Sequence, residues 1–252
     1  MDLVRALEAD GPLTCVVGAG GKKSTLYELV GRLERTVLTA TVRIPIFDRH
    51  VSEVRVTADP LAALEALEES GDHEWPLGLV AEREGTDRYV GYEPETVDRI
   101  VATDAVDHVL VKADGARTRL LKAPGDHEPR IPPGADTVLA LASVRAVGRP
   151  LSESDVHRPE RVSTVIGREI GEPIEPADVA TILTNPEGGL KDVPEGATYV
   201  PVLNMVDDED DREVAETIAA GILESEAASS GRLSRVVLTS MIAEDPLISV
   251  VG

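Results

Sequence analysis

The segment that most clearly suggests chemistry is a turn rich in glycine and lysine near the start of the chain. An apolar run, Leu13–Val17, is followed by Gly18-Ala19-Gly20-Gly21-Lys22-Lys23-Ser24-Thr25 and then by residues with helical apolar spacing. Glycines let the backbone turn sharply, so that several N–H groups point toward one place. The N-terminus of the following helix adds partial positive charge, and a lysine there can reach the terminal phosphates of a nucleotide. Residues 18–25 therefore predict a phosphate-binding loop.

The loop departs from the standard phosphate-loop spacing, and this leaves its lysine open to two assignments. If Lys22 binds phosphate, Lys23 occupies the position of the usual serine or threonine. If Lys23 binds phosphate, Lys22 replaces a glycine. We favour Lys22, with the hydroxyl of Ser24 or Thr25 coordinating Mg²⁺. A dinucleotide-binding loop fits less well because its glycine spacing is missing, and the remaining alternative is a glycine-rich turn that binds no ligand.

A second group of candidates follows the apolar run His108–Ala113. Asp114 closes that run, and an acid at the end of a strand beside a phosphate loop commonly holds magnesium. An Asp-Gly pair on its own is a turn signal, which is the alternative. A proline-rich loop at about residues 121–134 then carries Lys122, His127 and Glu128, which we take as candidate catalytic residues. Histidine and glutamate can act as acid, base or metal ligand, although such a loop can also be merely solvated.

A third group follows the apolar run Tyr199–Leu203. Asn204 and Asp207 match the outer positions of the Asn-Lys-x-Asp pattern that reads the base in guanine-nucleotide-binding proteins. Met205 replaces the lysine of that pattern, so both ATP and GTP stay open as ligands. The alternative is that Asp207 caps the acidic helix that follows it.

Short apolar runs alternate with helical patterns along the whole chain. The predicted strands are 13–17, 36–41, 54–57, 77–81, 108–113, 137–142, 199–203 and 235–239, and the predicted helices are 24–35, 60–70, 94–101, 160–166, 176–183 and 211–224. This alternation predicts a three-layer α/β fold like that of P-loop NTPases, in which helices cover both faces of a mainly parallel sheet. No internal repeat or long linker is visible, so we expect a single domain over residues 1–252.

The composition excludes several classes of protein. With 46 acidic and 25 basic side chains, the chain has a net charge of −21 and should repel nucleic acids and anionic membranes. Cys15 is the sole cysteine, which excludes a disulfide framework and a multi-cysteine metal site. No apolar run reaches the roughly 18 residues of a membrane span, and the first residues lack a signal-peptide pattern. We therefore expect a cytoplasmic protein that binds neither nucleic acid nor membrane.

Lysines are rare in this chain, which makes their positions informative. Five lysines stand against twenty arginines and many carboxylates, a balance that suggests a halophilic protein with a surface adapted to high salt. Two basic islands stand out, at residues 11–27 and 112–130. Each indicates a local anion site, and ordinary surface ion pairs are the alternative.

Taken together, these motifs resemble the YqeC-like family of selenium-dependent hydroxylase accessory proteins, which are P-loop nucleotide binders. The matching stretches are VVGAGGKKST at 16–25, TATVRIPI at 39–46, LVKADGARTRLLKAPGDHEPRIP at 110–132, GRPLSESDVHRPE at 148–160 and VLNMVD at 202–207. By this resemblance, phosphate contacts fall on Gly18, Gly20, Gly21 and Lys22, the metal on Asp114, and family-specific roles on Lys122, His127, Glu128, His157 and Arg158. Lys112 departs from the family, which tends to have a glutamate there.

The resemblance implies a Mg²⁺-dependent protein that binds ATP or GTP and hydrolyses it slowly. Its expected role is that of an accessory factor for a molybdenum hydroxylase, with a molybdenum-cofactor enzyme or its maturation proteins as partner. One alternative is a small-molecule kinase or nucleotidyltransferase that acts on a cofactor precursor. Another is a non-catalytic scaffold gated by nucleotide. Many accessory P-loop proteins dimerise across the nucleotide, so a homodimer is among the expected assemblies.

The acidic surface leads to a prediction about salt. We expect the midpoint of urea unfolding to rise as KCl is increased into the molar range, because salt screens the repulsion among the excess carboxylates. Far-ultraviolet circular dichroism at each salt concentration measures the midpoint. Full stability in low-salt buffer would contradict the halophilic assignment.

Overall fold

The apolar runs of the sequence form parallel strands in the computed structural model, which describes residues 1–71 and 74–252, and all of these strands except the edge strand at Glu53–Val56 are mainly buried. Alternate residues of each run face opposite sides of the sheet, as the two-residue period of a strand requires. In the first strand, Cys15 and Val17 pack into one core and Val16 packs into the other. Burial on both faces explains why these runs are continuously apolar.

The elements lie along the chain as follows. The strands are β1 (Leu13–Gly18), β2 (Thr36–Ala40), β3 (Ile44–Pro45), β4 (Glu53–Val56), β5 (Leu77–Val80), β6 (Glu82–Glu84), β7 (Arg88–Val90), β8 (His108–Lys112), β9 (Leu121–Lys122), β10 (Thr137–Ser143), β11 (Val156–His157), β12 (Thr198–Asn204), β13 (Val236–Thr239) and β14 (Leu247–Val251). The helices are α1 (Leu3–Ala6), α2 (Lys22–Val30), α3 (Pro60–Ser70), α4 (Pro94–Val101), α5 (Pro159–Ile166), α6 (Pro176–Thr184), α7 (Glu209–Leu223) and α8 (Glu226–Ser229), with short 3₁₀ helices at Asp48–His50 and Val144–Ala146.

The central sheet has the strand order β14-β13-β12-β10-β1-β8-β2-β5-β4. Its neighbours are parallel except for the edge strand β14, which runs antiparallel to β13. Helices α1 and α2 pack on one face, and α3, α4, α5, α6 and α7 pack on the other. The predicted three-layer α/β fold is confirmed, whereas the single domain over residues 1–252 stays a prediction. All helices in the described part of the chain fall short of the length or the apolar character that crossing a bilayer requires.

Helix α2 differs from its prediction at both ends. It begins at Lys22 instead of Ser24, because Gly21 ends the turn with a φ of 130° and the helix starts directly after it. It ends at Val30 instead of Arg35, and Gly31 follows as its C-cap. Leu33, which fits the helical spacing, still packs on the same core from the segment beyond the helix. The phosphate loop therefore leads into a helix of nine residues.

The register of the central strands brings the predicted motifs to one edge of the sheet. Lys112 lies opposite Val16 in the β8–β1 pair, so that two residues farther on Asp114 lies beside Gly18. On the other side of β1, strand β10 ends next to Asn204, the last residue of β12. This is the carboxyl edge, where open parallel sheets bind their ligands.

Candidate phosphate-binding site

The glycine loop has a shape that only glycine can adopt at three positions. Gly18, Gly20 and Gly21 have φ angles of 89°, 77° and 130°, in the region that side chains disfavour. A Cβ atom on Gly20 would lie 2.5 Å from the backbone nitrogen of Ser143, and one on Gly18 or Gly21 would overlap atoms of β10 or β12. The loop is thus pressed against the ends of two neighbouring strands.

The backbone N–H groups of the loop divide into two sets. The N–H of Gly18 donates to Oδ2 of Asp114 at 2.8 Å. Those of Ala19 and Gly20 donate to main-chain carbonyls at 2.8 and 2.9 Å. The N–H groups of residues 21–24 have no acceptor in the described part of the chain, as expected for the first turn of a helix. These four groups, together with the dipole of α2, are what the loop can offer an anion.

Three lysines converge on Asp114, whose side chain is almost fully buried. Nζ of Lys22 lies 2.8 Å from Oδ1, and Nζ of Lys122 lies 2.8 Å from Oδ2. Nζ of Lys112 donates to the main-chain oxygen of Asp114 at 2.7 Å. All three lysines are buried, and they are three of the five in the chain. We call Lys22, Lys112, Lys122 and Asp114 the lysine cluster.

The lysine cluster is electrostatically coupled. Burial raises the pKa of Asp114, but the ammonium groups of Lys122 and Lys22 outweigh it and hold this pKa at about 2. Burial lowers the pKa of Lys22. Burial, reinforced by repulsion from Lys22, lowers the pKa of Lys112 to about 8. At neutral pH the carboxylate is therefore ionised.

The proline-rich loop attaches a carboxylate and an arginine to the lysine cluster. Oε2 of Glu128 accepts hydrogen bonds from Lys122 at 3.0 Å and from Arg158 at 2.7 Å. Burial raises the pKa of Glu128, but the hydrogen bond from Arg158 and the charge of Lys122 bring it below its usual range. His157 lies opposite Lys122 in the β11–β9 pair, and burial, with help from neighbouring cations, lowers its pKa to about 4. Glu128 and Lys122 therefore meet at the site, whereas His127 is exposed and forms no hydrogen bond with the described residues.

The predicted hydroxyl groups belong to the first turn of α2. Ser24 is exposed on the first turn of α2. Thr25 is buried, and its Oγ1 donates to the main-chain oxygen of Gly21 at 3.3 Å. Lys23 is half-exposed. Within residues 1–71 and 74–252, neither hydroxyl forms a hydrogen bond with Asp114. Ser24 and Asp114 as a pair of metal ligands stay a prediction.

Asn204, at the end of β12, holds the glycine loop in place. Its side chain is buried, and Nδ2 donates to the main-chain oxygen of Gly20 at 2.8 Å. Its Oδ1 accepts a hydrogen bond from Thr239 at 3.1 Å. Both polar atoms of the Asn204 amide are therefore occupied. Through Nδ2 the side chain positions the loop, a role that the base-binding hypothesis did not include.

Asp207 is held by two partners. Its Oδ1 accepts a hydrogen bond from Ser240 at 2.6 Å, and its Oδ2 lies 2.9 Å from a guanidinium nitrogen of Arg145. The alternative role of Asp207 as a helix cap is filled by Asp208, which is the N-cap of α7. Asp207 as a base-binding residue stays a prediction.

Three cations near the loop belong to the basic island at residues 112–130, which the sequence indicates as an anion site. Lys112 had been noted only as part of a basic island and as a departure from the family, although the scarcity of lysine was a signal for it. Arg117 and Arg119 follow Asp114, and the main-chain oxygen of Arg119 accepts the N–H of Gly20. Among the described residues, neither arginine forms an ion pair, which is notable in a chain with 46 acidic side chains.

The expected magnesium ion fits the residues around Asp114 poorly. One observation favours it: Oδ1 of Asp114 is buried and has no hydrogen bond. However, an ammonium nitrogen lies 2.8 Å from each carboxylate oxygen. No group of three or more histidine, cysteine or acidic residues in the described part of the chain could hold a metal. A divalent and a monovalent cation about 4 Å apart repel each other by roughly 8 kcal/mol at an effective dielectric constant of about 20. The ammonium groups beside Asp114 therefore disfavour a magnesium ion there, and magnesium stays a prediction.

A small cavity lies on the opposite side of the lysine cluster from α2. Its volume is about 20 Å³, and Gly18, Asp114, Lys122 and residues of α6 are among those lining it. That volume holds about one water molecule and no nucleotide.

Comparison with known proteins gives the same family as the sequence motifs. Residues 14–160 match the family model described as YqeC protein. The uncharacterized protein YqeC of Escherichia coli (strain K12) is 30% identical over 197 residues, which cover 75% of this chain and 74% of that protein. The matched family region contains the glycine loop and the whole lysine cluster.

The close packing of the loop leads to a prediction. Gly20→Ala should lower the free energy of unfolding by about 2 kcal/mol or more, because the new Cβ is both strained and in collision with β10. Gly31→Ala is the matched control, since Gly31 has a φ of −77° and at least 3.8 Å of space around a new Cβ. Urea unfolding measures both variants. Equal stability of the two would show that the loop is not held as described.

Proposed function

Because the chain belongs to the YqeC family, and because the family region contains the lysine cluster, we propose that it binds a nucleoside triphosphate, ATP or GTP, through the phosphates. The single observation that carries the proposal is an excess of buried positive charge beside the glycine loop. The four free N–H groups of residues 21–24 lie at the same place. Buried cations and free amides together are the chemistry that recognises a polyphosphate.

The charge at the site is opposite to that of the whole chain. Four cationic side chains and two carboxylates are linked by the contacts described above, and with all six ionised their formal net charge is +2. They are Lys22, Lys112, Lys122, Arg158, Asp114 and Glu128. The chain as a whole carries −21. Burying uncompensated charge is costly, so such a site favours a bound anion with several negative charges. A triphosphate meets this requirement.

The residues at the site can bind phosphate better than they can activate water. Lys22 and the first turn of α2 would hold the terminal phosphates, and the unpaired Arg117 and Arg119 would meet the outer oxygens. Glu128 is bound to two cations, which makes it a weak base. A site with strong phosphate binding and a weak base is suited to slow hydrolysis.

The resemblance to accessory proteins supports a proposal for the biological role. We place the nucleotide-bound chain in the maturation of a molybdenum hydroxylase, selenium-dependent in the description of the family. Slow turnover suits a protein whose bound nucleotide controls when an assembly step takes place. The partner in this proposal is a molybdenum-cofactor enzyme or one of its maturation proteins.

A second candidate function, transfer to a small molecule, is favoured by a cleft beside the proline-rich loop. This cleft has a volume of about 720 Å³ and is lined by Pro124, by residues of α5 and by Asn185 and Glu187. Pro124 also lines the small cavity next to Asp114 and Lys122. A small molecule in the cleft would lie across the loop from the phosphate site. Nucleotide turnover that occurs only when a small acceptor is added would identify a kinase or nucleotidyltransferase.

Substitution of the two adjacent lysines tests the phosphate site. Lys22→Ala should weaken the binding of a non-hydrolysable triphosphate by at least about tenfold, because it removes the buried ammonium beside the loop. Lys23→Ala is the matched control and should change affinity by less than about threefold, since Lys23 is half-exposed and outside the lysine cluster. Isothermal titration calorimetry in the presence of Mg²⁺ measures both. Equal affinity of Lys22→Ala and the wild type would refute the assigned loop.

A further inference from the structure

Asp114 occupies donors that a phosphate group would otherwise use. Its Oδ2 accepts the N–H of Gly18 at 2.8 Å, and the ammonium groups of Lys122 and Lys22 lie 2.8 Å from Oδ2 and Oδ1. A loop N–H and two ammonium groups around an anionic oxygen pair are also the donors of a phosphate site. The carboxylate therefore stands where the sequence predicts phosphate contacts.

The surroundings of Asp114 suit a counter-anion better than a metal ligand. The other carboxylate at the site, that of Glu128, shares Lys122 with Asp114 and also pairs with Arg158. The third ammonium, that of Lys112, donates to the main-chain oxygens of Asp114 and Arg43 at 2.7 and 2.9 Å. These positive charges already provide what a metal ion provides in other phosphate sites, namely neutralisation of phosphate oxygens.

We propose that Asp114 is the internal counter-anion of the lysine cluster, and that a polyphosphate tail takes its place at Lys22 and Lys122 without requiring Mg²⁺. This inference rests on the proposed phosphate site and specifies how that site works. Lys22 keeps its ammonium near the loop in both states, because it also donates to the main-chain oxygen of Gly18. Lys112 and Lys122 supply the charge that holds the incoming phosphate.

Titration of the wild-type chain with inorganic triphosphate separates the outcomes without any substitution. Affinity is measured by calorimetry in excess Mg²⁺ and in EDTA, and the inference expects the EDTA value to be within about threefold of the Mg²⁺ value or tighter. Binding that occurs only with Mg²⁺ overturns the inference and leaves the proposed function standing. Absence of binding under both conditions overturns the proposed function and the inference with it.

A neutral substitution of Asp114 gives opposite results for a counter-anion and for a metal ligand. Asp114→Asn should tighten triphosphate binding in EDTA by about tenfold, because the competing negative charge is removed. A metal ligand would instead lose Mg²⁺-dependent binding in the same variant, and that result overturns the inference. Asp126→Asn is the matched control: it removes a carboxylate from the same loop, but one that is exposed and pairs with Arg161, so its affinity should equal that of the wild type. If Asp114→Asn does not fold, the wild-type comparison in Mg²⁺ and EDTA decides the question alone.

Discussion

The carboxylate of Asp114 joins parts of the chain that are distant in sequence. It receives the N–H of Gly18 from the glycine loop, the ammonium of Lys22 from α2 and that of Lys122 from the proline-rich segment. In the buried interior these contacts are strong, and removing one partner would leave a charge without compensation. The positions of the loop, the helix and the proline-rich segment therefore all depend on one ionised side chain.

The strand order of the sheet brings the partners of Asp114 together. Strand β8 lies directly beside β1, and the parallel register sets Asp114 next to Gly18. On the other side, β10 and β12 press against the loop, and Asn204 hydrogen-bonds to Gly20. A loop that is packed and hydrogen-bonded on both sides is preorganised. An anion that bound there would not have to order the loop.

The fold could be predicted from the sequence because burial on two faces leaves long apolar runs, and amphipathic helices leave a 3.6-residue period. The strands that escaped prediction are mostly two or three residues long, such as β3 and β9, and are too short to show any period. The glycine loop and Asp114 were predicted as candidates because each belongs to a compact local motif. The contact of Asn204 with Gly20 could not be predicted, since it joins residues 184 positions apart and depends on strand order. The convergence of Lys112 on Asp114 depends on side-chain direction within a strand, which an isolated basic residue does not reveal.

The depth of the lysine cluster has a consequence for recognition in concentrated brine. At about 1 M salt the screening length falls to roughly 3 Å, so exposed cations such as Arg117 attract a distant anion only weakly. The ammonium groups of Lys22, Lys112 and Lys122 are buried, and salt therefore screens them much less. In such a solvent the buried ammonium groups would keep more of their attraction for an anion than the exposed arginines do.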